Sequence, residues 1–331
     1  MDKSVVETHQ QLYHYTTAAG LQGIVESQQL WATNIAYLND AEEHTGYFDR
    51  RLPHLLADTI RAAIAEVAST ASGQRHIDSI GDIEKVVEDL KRIIPTSIRS
   101  VTLKHNNPYV TSFCRALPRQ HSDDGLLSQW RGYGLDGGYA IIFEANKLQQ
   151  LLDEEKKNFH YQFGVWGDVE YYNQDASQKA AHPETLKQEA IIQEAIGKII
   201  LTQDFDAFDP PFYNAITALS CMHKYRRFEE EAEVRIVALP SNTELFELGK
   251  NSGVMRQKKP VEFKMKNGIL MPYIKLFGRQ SNGNEAKLPI SKVIVGPHPD
   301  KLKRQKAVKL MFERYGIEAD VAVSDIPYLG R

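Results

Sequence analysis

The stretch KYRRFEEEAEVRIVAL, residues 224–239, decides how this chain is built. From Ala232 it alternates: Ala232, Val234, Ile236 and Ala238 fall on one side, Glu231, Glu233 and Arg235 on the other. Successive side chains of a strand point to opposite faces, so the three charges share one face. Either that face is wet, with Arg235 pairing to a carboxylate across it, or it lines a cleft and does chemistry. The second option makes Glu231 and Glu233 a paired carboxylate site.

Extended segments flank this strand on both sides. LYHYTT (12–17) reads as a short aromatic strand, with a threonine free to cap the helix AAGLQGIVESQQ. LWATNIAYLND (30–40) is extended and closes in a turn at Asn39 and Asp40. Apolar residues three and four apart then predict a mainly helical insertion over about 41–106. PYVTSFCRA, YAIIFEA, GDVEYY, KPVEFKM, GILMPYIKLF, ISKVIVGP and ADVAVSDIPYLG read as further strands. LLSQWRGYG, followed by LDGG and YAIIFEA, has the glycine-rich link of a hairpin. Helical patterns occupy about 184–204 and 211–225, and DKLKRQKAVKLMFERYG is a basic helix. The expected fold class is α+β: one domain over 1–331, with a mixed or antiparallel β-sheet core and inserted helices.

Composition narrows the function classes. Hydrophobic residues at 42% and charged residues at 25% are ordinary for a globular chain, and a net charge of −3 argues against a strongly basic nucleic-acid coat. No apolar run reaches the ~20 residues of a spanning helix, and MDKSVVETHQQLYHY lacks a signal-peptide core. Two cysteines, Cys114 and Cys221, make no disulfide framework, so a reducing, cytoplasmic setting is expected. No HExxH or paired CxxC is present, and no metal is expected.

Taken in order, LYHYTT, LNDAEE, YVTSFCRA, LLSQWRGYG, EEEAEVRI, ISKVIVGP and VAVSDIPYLGR resemble a bacterial family, domain of unknown function 2971. That family is in turn similar to the ADP-ribosyltransferases, which split NAD and move ADP-ribose to an acceptor. The resemblance implies an ADP-ribosyltransferase-like sheet and an NAD-dependent mono-ADP-ribosyltransferase, with NAD as substrate and no metal. Its catalytic positions would be Glu233, stabilising the oxocarbenium-like ribose, and Glu231, engaging the acceptor. NAD would be held by His14 with Tyr15 and Thr16, by Ser112, and by Arg235. Tyr37 and Tyr47, ten residues apart, offer stacking faces. Similarity to toxins and phage-defence effectors implies an RNA or protein acceptor and a neutralising antitoxin partner.

Each position also has a structural reading. His14 between two tyrosines suits a half-buried strand, and Tyr37 and Tyr47 suit aromatic packing. Asp40 and Glu43 fit a helix cap and its third residue. Trp130, Arg131 and Tyr133 can contact an acceptor base, or Trp130 can be core. Lys301, Lys303, Arg304, Lys306 and Lys309 suit a solvated face or a phosphate backbone. Two other functions stay open. One is a binding module for a nucleotide or peptide on the same fold. The other is a nuclease gathering Asp40, Glu43, Glu231 and Glu233 around Mg²⁺. A hydrolase built on Cys114 lacks a marked histidine partner.

Overall fold

A computed structural model describes residues 4–38, 45–105, 107–116, 124–133, 137–173, 182–202, 208–251, 256–266, 268–278 and 286–327, apart from the side chains of 80, 103–105, 133 and 248–251. A single turn, α1 (Val5–Thr8), leads into β1 (Gln11–Thr16). Thr17 ends that strand and caps α2 (Ala18–Ser27), its hydroxyl accepting the Gly20 N–H at 3.2 Å. Thr17→Ala removes this cap and is expected to cost about 1 kcal/mol, read as a lower urea midpoint at constant slope.

Gln28 takes the left-handed conformation and turns the chain into β2 (Leu30–Asn34). The helices α3 (Leu52–Ala68), α4 (Ala71–Ile80) and α5 (Ile83–His105) follow, then β3 (Tyr109–Arg115), α6 (Leu127–Tyr133) and β4 (Tyr139–Glu144). Next come α7 (Ala145–Asn158), β5 (Phe159–Asp168), β6 (Glu170–Tyr172), α8 (Pro183–Thr202), α9 (Pro210–Met222), β7 (His223–Tyr225) and β8 (Glu233–Pro240). The chain finishes with α10 (Thr243–Asn251), β9 (Gln257–Lys258), β10 (Glu262–Lys266), β11 (Ile269–Leu276), β12 (Ile290–Val295), α11 (Lys301–Tyr315) and β13 (Asp320–Val323).

Among the described residues, eleven strands join in one open sheet, with β6 and β7 paired separately. Most neighbours are antiparallel, whereas β12–β13 and β5–β9 are parallel, so the fold is mixed α/β. The long path runs β10-β11-β2-β3-β1-β4-β12-β13. Strand β3 is its branch point. One edge of β3 carries β8 over its whole length, and β5 lies beyond. The other edge is shared: β2 pairs at Tyr109 and Val110, β1 at Cys114 and Arg115. The sheet forks there, with residues 111–113 between the two prongs.

Each sheet face has its own core. One gathers Leu12, Phe113, Ile141, Phe143, Val234 and Ile236 beneath α2, α7 and α11. The other packs Tyr13, Tyr15, Cys114 and Ile142 around Trp130 of α6, and Val110 and Val237 against Cys221 of α9. The described part of the 41–106 insertion is helical, and α8 and α9 complete it into one apolar layer with Leu56, Ile60, Ile192 and Phe212 inside. A buried ion pair ties that layer: Arg51 Nε and Nη2 reach the two Glu189 oxygens at 2.9 and 3.0 Å.

The expected hairpin at 126–145 is corrected. Leu127–Tyr133 is helical because Leu126 and Trp130, four apart, both turn inward onto Tyr15. The two glycines of LDGG instead let the chain pass against 296–297, where a Cβ on Gly137 would strike the Pro297 carbonyl.

Candidate functional site at the charged end of β8

The run of glutamates does not belong to the strand. Residues Arg226–Glu231 form a tight 3₁₀ turn, closed by Ala232 with φ +44° and ψ +54°. A residue with a Cβ pays for this left-handed conformation. Ala232 is held there by bonds from its N–H to Glu229 O (3.1 Å) and from Arg115 N–H to its carbonyl (2.8 Å). Alternation therefore begins at Glu233, and Glu231 swings off the ladder.

Glu233 and Arg235 share a face with Val237, but that face is covered by α9 and by the β6–β7 pair. Glu233 is 6% exposed and Arg235 fully buried. Arg235 grips its neighbour with both arms of its fork, Nε to Oε1 and Nη2 to Oε2, each at 2.9 Å, and Nη1 donates to the Cys221 carbonyl at 2.6 Å. Lys224 reaches in from β7: Nζ lies 2.8 Å from Glu231 Oε2 and 3.3 Å from Glu233 Oε2. The Tyr171 hydroxyl accepts the Glu233 N–H at 2.9 Å. Burial alone would push the Glu233 pKa up. Arg235, Lys224 and the Ser112 hydrogen bond outweigh it and draw the carboxyl down to about 2. Glu231 is the solvent-reaching member, with 27% of its side chain exposed.

His14 stands at the fork. Its Nδ1 lies 2.9 Å from the Ser112 carbonyl, which can only accept, so Nδ1 carries the proton and donates. The bond occupies a carbonyl lying between the two prongs of the fork. Burial lowers the His14 pKa, the Ser112 bond opposes this, and Lys264 adds repulsion. The neutral ring therefore keeps an unprotonated Nε2. Lys264 lies over the rings of Trp31 and Tyr273, at 5.2 and 5.3 Å. Trp31 Nε1 and Thr111 Oγ1 are buried without a partner among the described residues.

The predicted positions thus separate. His14, Ser112, Glu233, Arg235 and Glu231 form one run of contacts across β1, β3 and β8. The run passes through the sheet, because strand alternation puts His14 on the Val234 side and Glu233 on the other. Tyr15 is core: its hydroxyl accepts the Leu126 N–H at 2.7 Å and its ring meets Trp130 edge-on. Trp130 is fully buried and donates to the Asp124 carbonyl, so it offers no face to an acceptor. Thr16 is buried at the end of β1. Tyr47, 1% exposed, packs on His223 inside the helical layer and has no face open for stacking, whereas Tyr37 is exposed on the turn after β2. Arg131 is exposed on α6; the Tyr133 side chain, Asp40 and Glu43 lie outside the described residues. The Cys114 thiol is buried, and burial with Glu233 and Glu231 pushes its pKa well up, which opposes a nucleophilic role. On α11, Lys303, Lys306 and Lys309 are exposed while Lys301 is tied to Asp325.

Lys224 and Tyr171 escaped the sequence reading. Lys224 stands within the quoted stretch, but its role depends on β7 folding back beside the turn. Also missed was His9, whose Nε2 lies 2.9 Å from Asp168 Oδ1, with Arg115 Nη1 3.4 Å from the same oxygen.

These features define a mixed α/β protein with a forked sheet and a buried ion-pair network beside the fork. Residues 129–236 match a family model described as protein of unknown function (DUF2971). The matched span runs from α6 to Ile236 and includes Lys224, Glu231, Glu233 and Arg235; His14 and Ser112 lie before it. No curated protein and no solved structure matches the chain. Among the described residues no helix is long and apolar enough to cross a membrane.

Proposed function

We propose that the chain is an NAD-cleaving enzyme of the mono-ADP-ribosyltransferase type, with an ADP-ribosyltransferase-like sheet and its site at the fork. One observation carries the reading: Ser112 accepts from His14 through its carbonyl and bonds Glu233 through its side chain. A histidine, a serine and a glutamate from three strands are thereby held in one chain of contacts.

In NAD cleavage the bond from ribose C1′ to nicotinamide nitrogen breaks, nicotinamide leaves with the electron pair, and an acceptor nucleophile bonds C1′ as it loses its proton. Positive charge builds on the ribose in between. Glu233, with both oxygens engaged, acts as a fixed anion that positions Lys224 and, through it, Glu231. Glu231 takes the place beside the ribose. His14, on the opposite face of the sheet, is a positioning residue: its Nδ1–H holds the Ser112 carbonyl and so fixes Ser112 against Glu233. An RNA or protein acceptor, a toxin or phage-defence role and an antitoxin partner follow from the resemblance alone.

The test is labelled NAD incubated with the protein and either total RNA or total cellular protein, with nicotinamide release followed in parallel. Label on one pool, lost in His14→Ala, supports the reading and identifies the acceptor class. A second reading has its own support, since Glu233 is already saturated by Arg235 and Lys224: a module that binds a nucleotide without turnover. NAD binding by calorimetry with no nicotinamide released would establish it instead. For the nuclease reading, Lys224 Nζ occupies the space between the two carboxylates where a cation would sit; RNA cleavage abolished by chelator would revive it.

A further inference from the structure

A hollow lies on the opposite face of β8. A cavity of about 360 Å³ opens between α7, β5 and β8, within the size of small-molecule sites. Its origin is in two small residues. Gly164 and Ala238 are cross-strand partners on β5 and β8, flanked on the same face by Trp166 and Ile236. A Cβ at Gly164 would meet nothing nearer than the Val237 carbonyl at 3.7 Å. The missing side chains are the hollow, and Leu152 and Leu276 close it.

Polar groups fix what it can hold. Trp166 lines the cavity, and its Nε1–H is buried without a partner among the described residues. A buried donor in this state lacks a hydrogen bond that nearly all such groups make. Glu155 is neutralised: Lys259 Nζ lies 2.5 Å from Oε1, the Tyr161 hydroxyl donates to Oε1 at 2.6 Å, and the Phe277 N–H donates to Oε2 at 3.0 Å. The neighbouring Glu154 and Glu262 are paired with Lys157 and Lys275. Lys156 and Arg256 line the same cavity and are exposed, leaving it a net positive mouth.

We propose that this cavity binds a small planar aromatic acid. The ring lies over Gly164 between Trp166 and Leu152, an acceptor atom takes the Trp166 Nε1–H, and the anionic group sits between Lys156 and Arg256. The site is separate from the fork and stands whether or not the chain cleaves NAD.

Anilinonaphthalene sulfonate is the probe, with uncharged phenylnaphthylamine as its counterpart, both titrated by fluorescence against the full chain. Gly164→Leu, whose Cβ has room, puts a side chain into the hollow and should weaken both probes at least about tenfold with an unchanged melting temperature. Lys156→Gln combined with Arg256→Gln should weaken the sulfonate about fivefold or more and leave the neutral probe within about twofold. Trp166→Phe should weaken the sulfonate about threefold or more. Failure of the sulfonate to bind, or binding untouched by Gly164→Leu, overturns the site. Equal losses of both probes in the double variant overturn its preference for anions.

Discussion

Arg235→Met is expected to lower the unfolding free energy by about 3–5 kcal/mol, the usual result of removing one partner from a buried ion pair. The arginine is fully buried and supplies both strong contacts to Glu233 as well as the donor to Cys221 O. Without it, Glu233 keeps only Lys224 at 3.3 Å and Ser112 against its own desolvation. Urea denaturation should show a lower midpoint at constant slope. Adding Glu233→Leu to Arg235→Met should recover most of the loss, because no uncompensated charge then stays buried. Titration gives an independent check. The Glu233 carboxyl is drawn from 4.5 to about 2 in the folded chain. A depressed acid contributes stability that is full above its unfolded pKa and lost as pH falls through its folded one. The wild type should therefore lose about 3 kcal/mol from this group between about pH 4.5 and 2. In Arg235→Met that slope should largely vanish. An unchanged slope would mean that Arg235 is not what holds the carboxylate ionised.

Much of this arrangement was legible because period-two alternation is a local signal. The face shared by Glu233 and Arg235 and the apolar run of Val234 and Ile236 follow from it, while the strands at 12–16, 139–144 and 290–295 follow from their aromatic, β-branched and apolar composition. The start of β8 was misplaced by one residue, and Glu231 wrongly put on its charged face, because Ala232 adopts a left-handed conformation that its side chain disfavours. Nothing in an alanine announces that. All of β5 before Gly167 was missed although Phe159, Tyr161 and Phe163 alternate, since the charged end of α7 runs straight into it. The helical layer was half seen: periodicity predicts helices within about 41–106 and over about 184–204 and 211–225, but not that stretches some hundred residues apart bury one another's apolar sides. The site was least legible for the same reason. Lys224, Ser112, Glu231 and Glu233 become one cluster only through the β3–β8 register and the return of β7, both long-range facts. That register also carries His14 to the far side of the sheet from the carboxylates, linked to them through Ser112.

Glu231→Gln is expected to lower NAD cleavage about 100- to 1,000-fold, the range seen when one preorganised electrostatic partner of a developing charge is removed. The substitution keeps the side chain's length and an oxygen for Lys224 but deletes the charge that the proposed reading puts beside the ribose. The carboxylate is part-exposed and lies at the rim of the network, so the melting temperature should move by only about 2 °C. This asymmetry distinguishes Glu231 from Glu233, whose loss would also disturb the buried pair with Arg235 and lower stability. Lys224→Met gives the complementary test. It releases Glu231 from its clamp at 2.8 Å while leaving both carboxylates in place. If Lys224 positions Glu231, kcat should fall with KM for NAD nearly unchanged, because the lost alignment matters most once charge develops. A rise in KM alone would assign Lys224 to ground-state binding of the diphosphate. Full nicotinamide release from folded Glu231→Gln would remove Glu231 from the chemistry. Cleavage would then have to be sought on the His14 side of the fork, beside the Lys264 cation.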